Sequence, residues 1–297
     1  MQIEVFKIFK DLADSGSFSQ AALANGVSQS AVSQRIRALE ERFEVVLIER
    51  NRRAFALTAE GEAFLDASRE IAEIYEHLDE RLKSHSNAVE GQLRVGVIYS
   101  IGLHELPPYI KAFRTAHPAV EVLVEYRRSW KLYSAVLEGE VDIGLVCYPA
   151  RKTGLQIIPF LNDRLVMICH PSHPLARRAT VRLADLEGER FISFEPDQPT
   201  RKVIDRALRD QGVQIQHAVE FDSVETVKRA VEIENGISIV PSRTVRQEVE
   251  NGALAAVEIA APQLWRPLGV LIKRNRVRSP AMREFLALLQ KPLPTED

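Results

Sequence analysis

Residues 59–88 run for thirty positions without a proline, and this stretch divides the sequence into three parts. Its apolar side chains recur at the spacing of a coiled-coil seam over about three heptads. The seam consists of Phe64, Ala67, Ile71, Ile74, Tyr75, Leu78 and Leu82. We predict one long helix with Thr58 as its N-cap. Such a helix either packs on its own domain or pairs with a second copy of the chain, and its length favours pairing.

The residues before this helix have the pattern of short helices followed by a hairpin. Ser15-Gly16 breaks a first helix, and a third helix is predicted from Ser28 to about Arg42. Two β-like stretches at 45–50 and 54–57 follow the helices. Ser19 is the predicted cap of the second helix, and Asn25-Gly26 is its predicted end. Asn51-Arg52-Arg53 is the predicted hairpin turn.

Residues 91–297 alternate between apolar strands and amphipathic helices. This alternation predicts an α/β domain with mainly parallel sheets, and its length suggests two lobes. The predicted strands are 93–98, 120–126, 141–147, 157–160, 165–169, 191–194, 215–221 and 237–240. The predicted helices are 103–117 (interrupted near Pro107), 130–138, 200–211, 223–234 and 280–290. Because α/β folds bind ligands at the carboxyl ends of strands, we expect a cleft between the lobes.

The composition is that of a soluble globular protein, with 45% hydrophobic and 27% charged residues. A net charge of −2 argues against binding to polyanions by bulk charge. The two cysteines, Cys147 and Cys169, end apolar strands and are predicted to be buried structural thiols. With neither a secretory signal nor an apolar run long enough for a membrane span, we expect a cytoplasmic protein.

The predicted third helix has one apolar and one polar face. Its core stripe is Val32, Ile36, Leu39 and Phe43, and the opposite face presents Ser30, Ser33, Gln34 and Arg37. Gln, Ser and Arg are residue types that read base edges in a major groove. The backbone amides after the Ser28 cap suit a phosphate, as do Arg50, Arg52 and Arg53 in the hairpin. A merely solvated helix would show the same polarity, but the helix-turn-helix spacing favours DNA binding.

Charge is distributed unevenly along the chain. Residues 59–90 hold nine acidic and three basic residues, whereas residues 28–53 hold six arginines and four glutamates. The negative charge of residues 59–90 thus offsets the charge of residues 28–53, the reading segment, which is only slightly positive. We expect DNA recognition by hydrogen bonds and paired half-sites more than by bulk charge.

Two segments, 17–22 and 27–40, together with Leu47-Ile48-Glu49-Arg50 and Leu57-Thr58-Ala59-Glu60-Gly61, closely resemble the LysR-type transcriptional regulators. The resemblance is specific over about 60 residues and looser over the rest of the chain. It implies a winged helix-turn-helix DNA-binding domain (1–58), a linker and dimerisation helix (59–90), and a two-lobed effector domain like periplasmic binding proteins (91–297). It also implies a dimer of dimers on an imperfect inverted repeat, and contact with RNA polymerase.

The resemblance also assigns roles to residues of the reading segment. Base contacts fall to Gln29, Ser33, Gln34 and Arg37, and backbone contacts to Ser30, Arg50, Arg52 and Arg53. The sequence departs from the family pattern at Asn25, Gly26, Glu44 and Ile48, where Glu44 replaces a glycine near the wing. We expect these departures to change packing and turn geometry but to leave the motif intact.

The predicted cleft is assigned by loop position and charge. Three loops end strands or begin helices there, and their candidate effector-binding residues are Ser100, Ile101, Gly102, Arg127, Ser129, Trp130, Thr200 and Arg201. Helix-start amides, hydroxyls and arginines suit an anion, so a small anionic metabolite is expected. By resemblance, Ser100, Ser129 and Thr200 match positions that contact inducers.

Other functions fit the sequence less well. No nucleotide-binding, nucleophile or zinc-protease motif is present, so we predict neither an enzyme nor a cofactor. His170 and His173 lie in a proline-containing stretch without further ligands, which favours a loop over a metal site. A solute-binding protein would not need residues 1–90. A DNA-binding regulator without a small-molecule effector is the remaining alternative.

Overall fold

A computed structural model describes residues 3–51, 54–83, 89–261, 264–274 and 276–291. The chain divides into two compact units, Met1–Gly91 with Asn275–Pro280, and Gln92–Arg274 with Ala281–Asp297. The long helix thus belongs to the N-terminal unit. None of the helices in the described ranges is both long and apolar enough to cross a membrane.

The N-terminal unit contains four helices and a two-stranded hairpin. They are α1 (Glu4–Ser15), α2 (Phe18–Ala24), α3 (Gln29–Phe43), β1 (Ile48–Asn51), β2 (Ala54–Leu57) and α4 (Ala59–Lys83). β1 and β2 pair antiparallel, with Ile48 opposite Leu57 and Asn51 opposite Ala54. The structure therefore has the helix-turn-helix and wing that the sequence predicts.

Side-chain and backbone caps explain where these helices begin and end. Gly16, with φ +61°, ends α1 and donates its amide to Leu12. The prediction that Ser19 caps α2 is wrong. The N-cap is Ser17, which has an extended backbone and whose Oγ accepts a hydrogen bond from the Gln20 amide. The predicted Ser28 cap is confirmed, since its Oγ accepts from the Ala31 amide at 3.2 Å.

Three residues of the predicted stripe on α3 form the core of this unit. Val32, Ile36 and Leu39 are buried, but Phe43 is 45% exposed. Phe43 was predicted to complete the stripe; its ring instead lies at the rim and packs edge-on against Phe64 of α4, at 5.8 Å between centroids. Because Phe64 also stacks on Phe6 of α1, this aromatic group joins three helices.

The long helix α4 is half packed and half exposed. Thr58 caps it as predicted, with Oγ1 accepting from the Gly61 amide at 2.9 Å. Leu65 and Ser68 are buried in the N-terminal unit. Further along, the seam residues Ile74, Tyr75 and Leu78 are 57%, 47% and 47% exposed. The first half of the helix therefore packs on its own domain, and the second half presents an uncovered apolar surface.

The second unit is an α/β structure. Its strands are β3 (Gly91–Val97), β4 (Val120–Tyr126), β5 (Ile143–Cys147), β6 (Leu155–Cys169), β7 (Thr180–Val181), β8 (Arg190–Phe194), β9 (Gln216–Phe221), β10 (Ser238–Pro241), β11 (Ala255–Ile259) and β12 (Trp265–Lys273). Its helices are α5 (Tyr99–His104), α6 (Pro107–Ala116), α7 (Ser129–Leu137), α8 (Pro199–Asp210), α9 (Val224–Glu232), α10 (Arg246–Glu250) and α11 (Pro280–Leu289).

One long sheet runs through this unit, in the order β4-β3-β5-β12-β6-β11-β7, with β10 also on β6. The first part of β6 pairs with β12 in lobe 1, which contains β3, β4 and β5. The last part pairs with β10 and β11 in lobe 2, which also contains the parallel pair β8-β9. A core that includes Met167, Phe191, Ile204 and Val227 fills lobe 2.

The prediction of mainly parallel sheets is wrong. β6 pairs antiparallel with β10, β11 and β12, and β12 pairs antiparallel with β5. β6 was predicted as two strands because Asn162-Asp163-Arg164 interrupts its apolar pattern. Sequence reasoning missed β12 because Pro267 and Gly269 resemble turn signals; they lie at an irregularity in its register.

We predict that Glu44→Gly stabilises the N-terminal unit by about 0.5–1 kcal/mol. Glu44 follows the carboxyl end of α3 with φ +56° and ψ +38°, a conformation that costs an L side chain energy. Its charge also opposes the helix dipole. Thermal unfolding followed by circular dichroism measures the change.

The control is Glu41→Gly, which removes a similar charge three residues earlier. Glu41 is helical and exposed, so glycine there should destabilise the unit by about 1 kcal/mol. Equal effects of the two substitutions would contradict the assignment of strain to Glu44.

Candidate DNA-binding surface and ligand cavity

The exposed face of α3 carries the predicted base-reading residues. Gln29, Gln34 and Arg37 are exposed and Ser33 is half-buried, on the side opposite the buried stripe. The side chains of Gln34 and Arg37 make no hydrogen bond to any described residue, so their side-chain polar groups are free. This face can offer a row of uncharged polar groups followed by one guanidinium to a major groove.

Hydrogen bonds order the start of the same helix. The Oγ atoms of Ser28 and Ser30 lie 2.9 Å apart, and Ser19 Oγ donates to Gln29 Oε1 at 3.5 Å. Ser19, which is predicted as a cap of α2, thus contacts the start of α3. Among the predicted wing residues, Arg50 has its backbone in β1, opposite Phe55, while Arg52 and Arg53 lie outside the described residues.

A cavity of about 560 Å³ lies within the second unit, between its two lobes. It opens where strands of both lobes end, as the sequence predicts. From lobe 1 it is lined by Ile98, Tyr99, Ser100, Arg127, Arg128, Ser129, Trp130, Tyr133, Cys147, Tyr148, Ala150, Arg151, Lys152 and Arg266. From lobe 2 it is lined by Phe194, Glu195, Asp197, Gln198, Pro199, Thr200, Asp222, Ser223, Val224 and Pro241.

Five of the eight predicted effector-binding residues line this cavity. They are Ser100, Arg127, Ser129, Trp130 and Thr200. The structure places the other three, Ile101, Gly102 and Arg201, outside its lining. Ile101 is fully buried in the core, and Gly102 packs so closely on Tyr126 that a Cβ would lie 2.5 Å from its ring.

Arg201 is held by partners within its own lobe. Its Nε donates to Asp205 at 2.7 Å, and its Nη1 donates to Glu220 at 2.8 Å and to the Phe194 carbonyl at 2.6 Å. The side chain is 92% buried. Arg201 therefore stabilises lobe 2, and it does not line the cavity.

The two arginines at the end of β4 also have acidic partners. Arg127 binds Glu125 at 2.6 Å and also pairs with Glu140. Arg128 belongs to lobe 1, and its guanidinium lies 3.6–3.8 Å from three lobe 2 carboxylates, those of Glu195, Asp197 and Asp222. These ion pairs reduce the positive charge that the two arginines bring to the cavity.

Sequence reasoning missed the most buried cation of the cavity, Arg266. It lies on β12 and is 2% exposed. Its Nη2 donates to Ser100 Oγ at 2.5 Å, but Nε and Nη1 are buried without a hydrogen bond to the described residues. A charged residue at the same strand spacing as the buried Leu268 and Val270 would have signalled this position, had β12 been predicted.

Polar groups surround this guanidinium. Tyr148, which also lines the cavity, has φ +47° and a buried hydroxyl without a hydrogen bond to the described residues. Asp163 lies directly opposite Arg266 in the β6–β12 ladder, and its Oδ1 accepts from Ser242 Oγ at 2.8 Å. Glu105 is 4% exposed and lies 3.4 Å from Arg243. Burial raises the pKa of Glu105 to about 7, although Arg243 opposes the shift.

The cysteines and the histidine pair have structural surroundings. Cys147 and Cys169 are free and buried, and burial raises the pKa of Cys169 to about 11. His170 Nδ1 lies 2.7 Å from Ser172 Oγ, and His173 Nδ1 accepts from the Leu175 amide. Within the described ranges, no three His, Cys, Asp or Glu side chains are grouped as metal ligands.

We predict that Glu105→Gln changes how stability depends on pH. A carboxyl whose pKa rises from 4.5 to about 7 on folding stabilises the fold below pH 4.5, and that contribution is lost as pH rises to about 7. Arg243, Arg246 and Arg266 lower this pKa, and Asp163 raises it. Glutamine does not ionise, so the variant should gain about 2–3 kcal/mol relative to the wild type between pH 5 and pH 8.

Thermal-shift measurements at the two pH values test this gain. Exposed Glu284 on α11 supplies the control Glu284→Gln, which should show no comparable gain. A constant difference between Glu105→Gln and the wild type across this range would contradict the pKa assignment.

Comparisons with known proteins agree with this architecture. A family model described as "LysR substrate binding domain" matches residues 86–293. A second, described as "Bacterial regulatory helix-turn-helix protein, lysR family", matches residues 3–62. The predicted fold class, an N-terminal helix-turn-helix followed by an α/β effector domain, is confirmed.

Relatives and solved structures extend the likeness over nearly the whole chain. A "Probable RuBisCO transcriptional regulator" of Synechocystis sp. is 30% identical, over 96% of this chain and 84% of the relative. One of the same description from Cyanidioschyzon merolae is 29% identical, over 95% of both chains. A full-length OxyR variant from Pseudomonas aeruginosa has a similar fold, with a TM-score of 0.77 and 21% identity over 97% of this chain and 93% of that one.

A further solved structure is that of a regulator on DNA. Full-length CbnR complexed with its target DNA has a TM-score of 0.63 and 23% identity, over 97% of this chain and 99% of that one. The family models together match most of the chain, and these relatives are regulators rather than enzymes. The chain belongs to the LysR family of DNA-binding transcriptional regulators, with an effector-binding domain after the helix-turn-helix.

Proposed function

We propose that α3 reads an inverted-repeat operator through its exposed polar face. Gln29, Ser33, Gln34 and Arg37 contact bases, and Ser30 binds a phosphate at the helix start. The wing arginines Arg50, Arg52 and Arg53 bind neighbouring phosphates. The observation that carries this proposal is the position of Gln34 and Arg37, which are exposed opposite a buried stripe and whose side chains have no hydrogen-bond partner in the described ranges.

The second half of α4 supports pairing of two copies. Ile74, Tyr75 and Leu78 expose an apolar stripe, and covering such a stripe against an identical helix removes it from water. An inverted repeat requires two reading helices related by a two-fold axis. Pairing through α4 supplies them, and association of two such dimers gives the tetramer that the family resemblance implies.

The cavity supports control by a small, anionic metabolite. Its volume of about 560 Å³ is in the range of small-molecule sites, and its lining combines aromatic side chains with hydroxyls and arginines. Ser100, Ser129 and Thr200 contact the effector, whose binding alters the action of the DNA-bound regulator on RNA polymerase. The cavity favours this function over that of a regulator without an effector.

We predict that Arg37→Ala weakens specific DNA binding by about 1–3 kcal/mol, the worth of a good base contact. Gel-shift titration at fixed salt, with the intergenic DNA upstream of the encoding gene, measures the change. The matched control is Arg42→Ala, which removes the same charge from the same helix but lies outside the reading face, where its guanidinium stacks near the Phe43 ring. If the two variants lose equal affinity, Arg37 acts only through its charge and the assignment is wrong.

We predict that the double substitution Ile74→Ser and Leu78→Ser separates paired copies. Each apolar side chain contributes roughly 1.5–3 kcal/mol to association when it is buried. The dissociation constant of the dimer should therefore rise about a hundredfold or more. Sedimentation velocity over a concentration series detects monomers, and circular dichroism verifies the fold. Asp66→Ser, at an exposed polar position of α4, should leave association unchanged. A double variant that associates like the wild type would place the interface elsewhere.

A further inference from the structure

The lining of the cavity includes a buried cation with unused hydrogen-bond donors. Arg266 is 98% buried, yet its Nε and Nη1 have no acceptor among the described residues. Leaving donors of a buried charged group unpaired is costly, more so than for a neutral group. The strand position holds the guanidinium in place, because Arg266 pairs with Asp163 of β6 and β12 also pairs with β5 from Leu268 onward.

Two hydroxyls lie on the cavity wall beside this guanidinium. Ser100 Oγ accepts a hydrogen bond from Arg266 Nη2, which leaves the Ser100 proton available to another acceptor. The Tyr148 hydroxyl is buried and has no hydrogen bond to the described residues. Ser100, Tyr148 and Arg266 line the same cavity, and Arg266 interacts electrostatically with the Tyr148 hydroxyl, so the cavity offers three kinds of donor to an oxyanion.

The carboxylates near Arg266 do not use its free donors. Asp163 is its cross-strand neighbour, but Asp163 Oδ1 is bound to Ser242 and Oδ2 has no hydrogen bond to the described residues. Glu105 is paired with Arg243. Both acids nevertheless lie close enough to offset part of the positive charge of Arg266.

We propose that Arg266, Ser100 and Tyr148 form a carboxylate site, which binds a singly charged carboxylate group of the effector. This inference deepens the proposed effector function and rests on it. Arg266 supplies a single positive charge, part of which its acidic neighbours offset, so the site can balance at most one negative charge and not the two charges of a phosphate monoester. Apolar groups of Ile98, Phe194 and Pro241 also line the cavity and suit the body of an organic acid.

The site differs from the anion contacts that the sequence predicts. Arg127 and Arg128 are paired with acids, and Arg201 is turned into lobe 2. Arg266 on β12, and not the arginines of the loops, therefore determines which ligand charge the cavity accepts. Discrimination between a carboxylate and its neutral amide should depend on this one side chain.

Trifluoroacetate is a suitable probe, because it is a minimal carboxylate that fluorine NMR detects at weak affinity. With the full-length wild-type chain we expect saturable broadening of its resonance. Acetate should displace it, inorganic phosphate should compete at least tenfold more weakly than acetate, and acetamide should not compete. Arg266→Gln removes the charge while keeping a side chain of similar polarity, and should weaken trifluoroacetate binding at least tenfold. The control Arg209→Gln, at an exposed position of α8, should bind like the wild type.

Three results would overturn the carboxylate site: no saturable binding to the wild type, equal binding by Arg266→Gln, or phosphate competing better than acetate. Circular dichroism and the gel shift verify that Arg266→Gln is folded. If it is not, Arg266→Lys keeps the charge and bulk but lacks the fork of donors, and should bind trifluoroacetate at least threefold more weakly. An Arg266→Lys variant that binds like the wild type also overturns the proposal.

A thermal-shift screen of anionic, neutral and cationic metabolites separates this inference from the proposed function. Stabilisation of the wild-type chain by neutral or cationic compounds alone means that the anionic effector of the proposed function fails. Stabilisation by anions that persists undiminished in Arg266→Gln means that only the carboxylate site fails. Stabilisation by carboxylates in the wild type and not in Arg266→Gln supports both.

Discussion

The antiparallel ladder between β6 and β12 is the interaction on which the rest of the second unit depends. β6 runs from lobe 1 into lobe 2, and β12 returns beside it, with Trp265 opposite Arg164 and Lys273 opposite Leu155. Two lobes made only of local strand–helix–strand units would be joined by flexible connections. A shared ladder joins them instead through backbone hydrogen bonds, and it places Arg266 in the lining of the cavity between them.

The charges of the cavity differ in depth, and their depth determines what they can do. Arg128 and its carboxylate partners are largely exposed, so water screens their attraction and each pair contributes little. They are well suited to exchange partners when a ligand enters. Arg266 has no such freedom, because it is buried and fixed on a central strand. An anion at that depth meets a low dielectric, where one fixed charge is worth more than several mobile charges at the rim.

The parts of the fold that could be predicted from the sequence are those that local interactions determine. Ser28 and Thr58 cap their helices as predicted because an N-cap needs only its own next three residues. β4 matches its predicted range at both ends, since its alternating pattern is bounded by clear turns. The exposure of Phe43 depends on α4, however, and Glu220, the partner of Arg201 of α8, comes from the separate strand β9. The i,i+4 pair of Arg201 and Asp205 was visible in the sequence, and it could have shown that this arginine is occupied.

The burial of Arg266 at the cavity could not be predicted from the sequence for a physical reason. A bulged strand containing a proline and a glycine has no clear periodicity, so neither its face nor its burial can be read locally. The buried and exposed faces of α3, by contrast, could be predicted, because the periodicity of α3 alone determines them. There the near-neutral charge of residues 28–53 becomes meaningful, since six arginines and four glutamates provide little bulk attraction for DNA. The proposed function places the affinity in hydrogen bonds made in register, and register over two half-sites requires that two copies of α3 be held at a fixed spacing. Under that proposal, the uncovered stripe of Ile74, Tyr75 and Leu78 is as much a part of DNA recognition as Gln34 and Arg37.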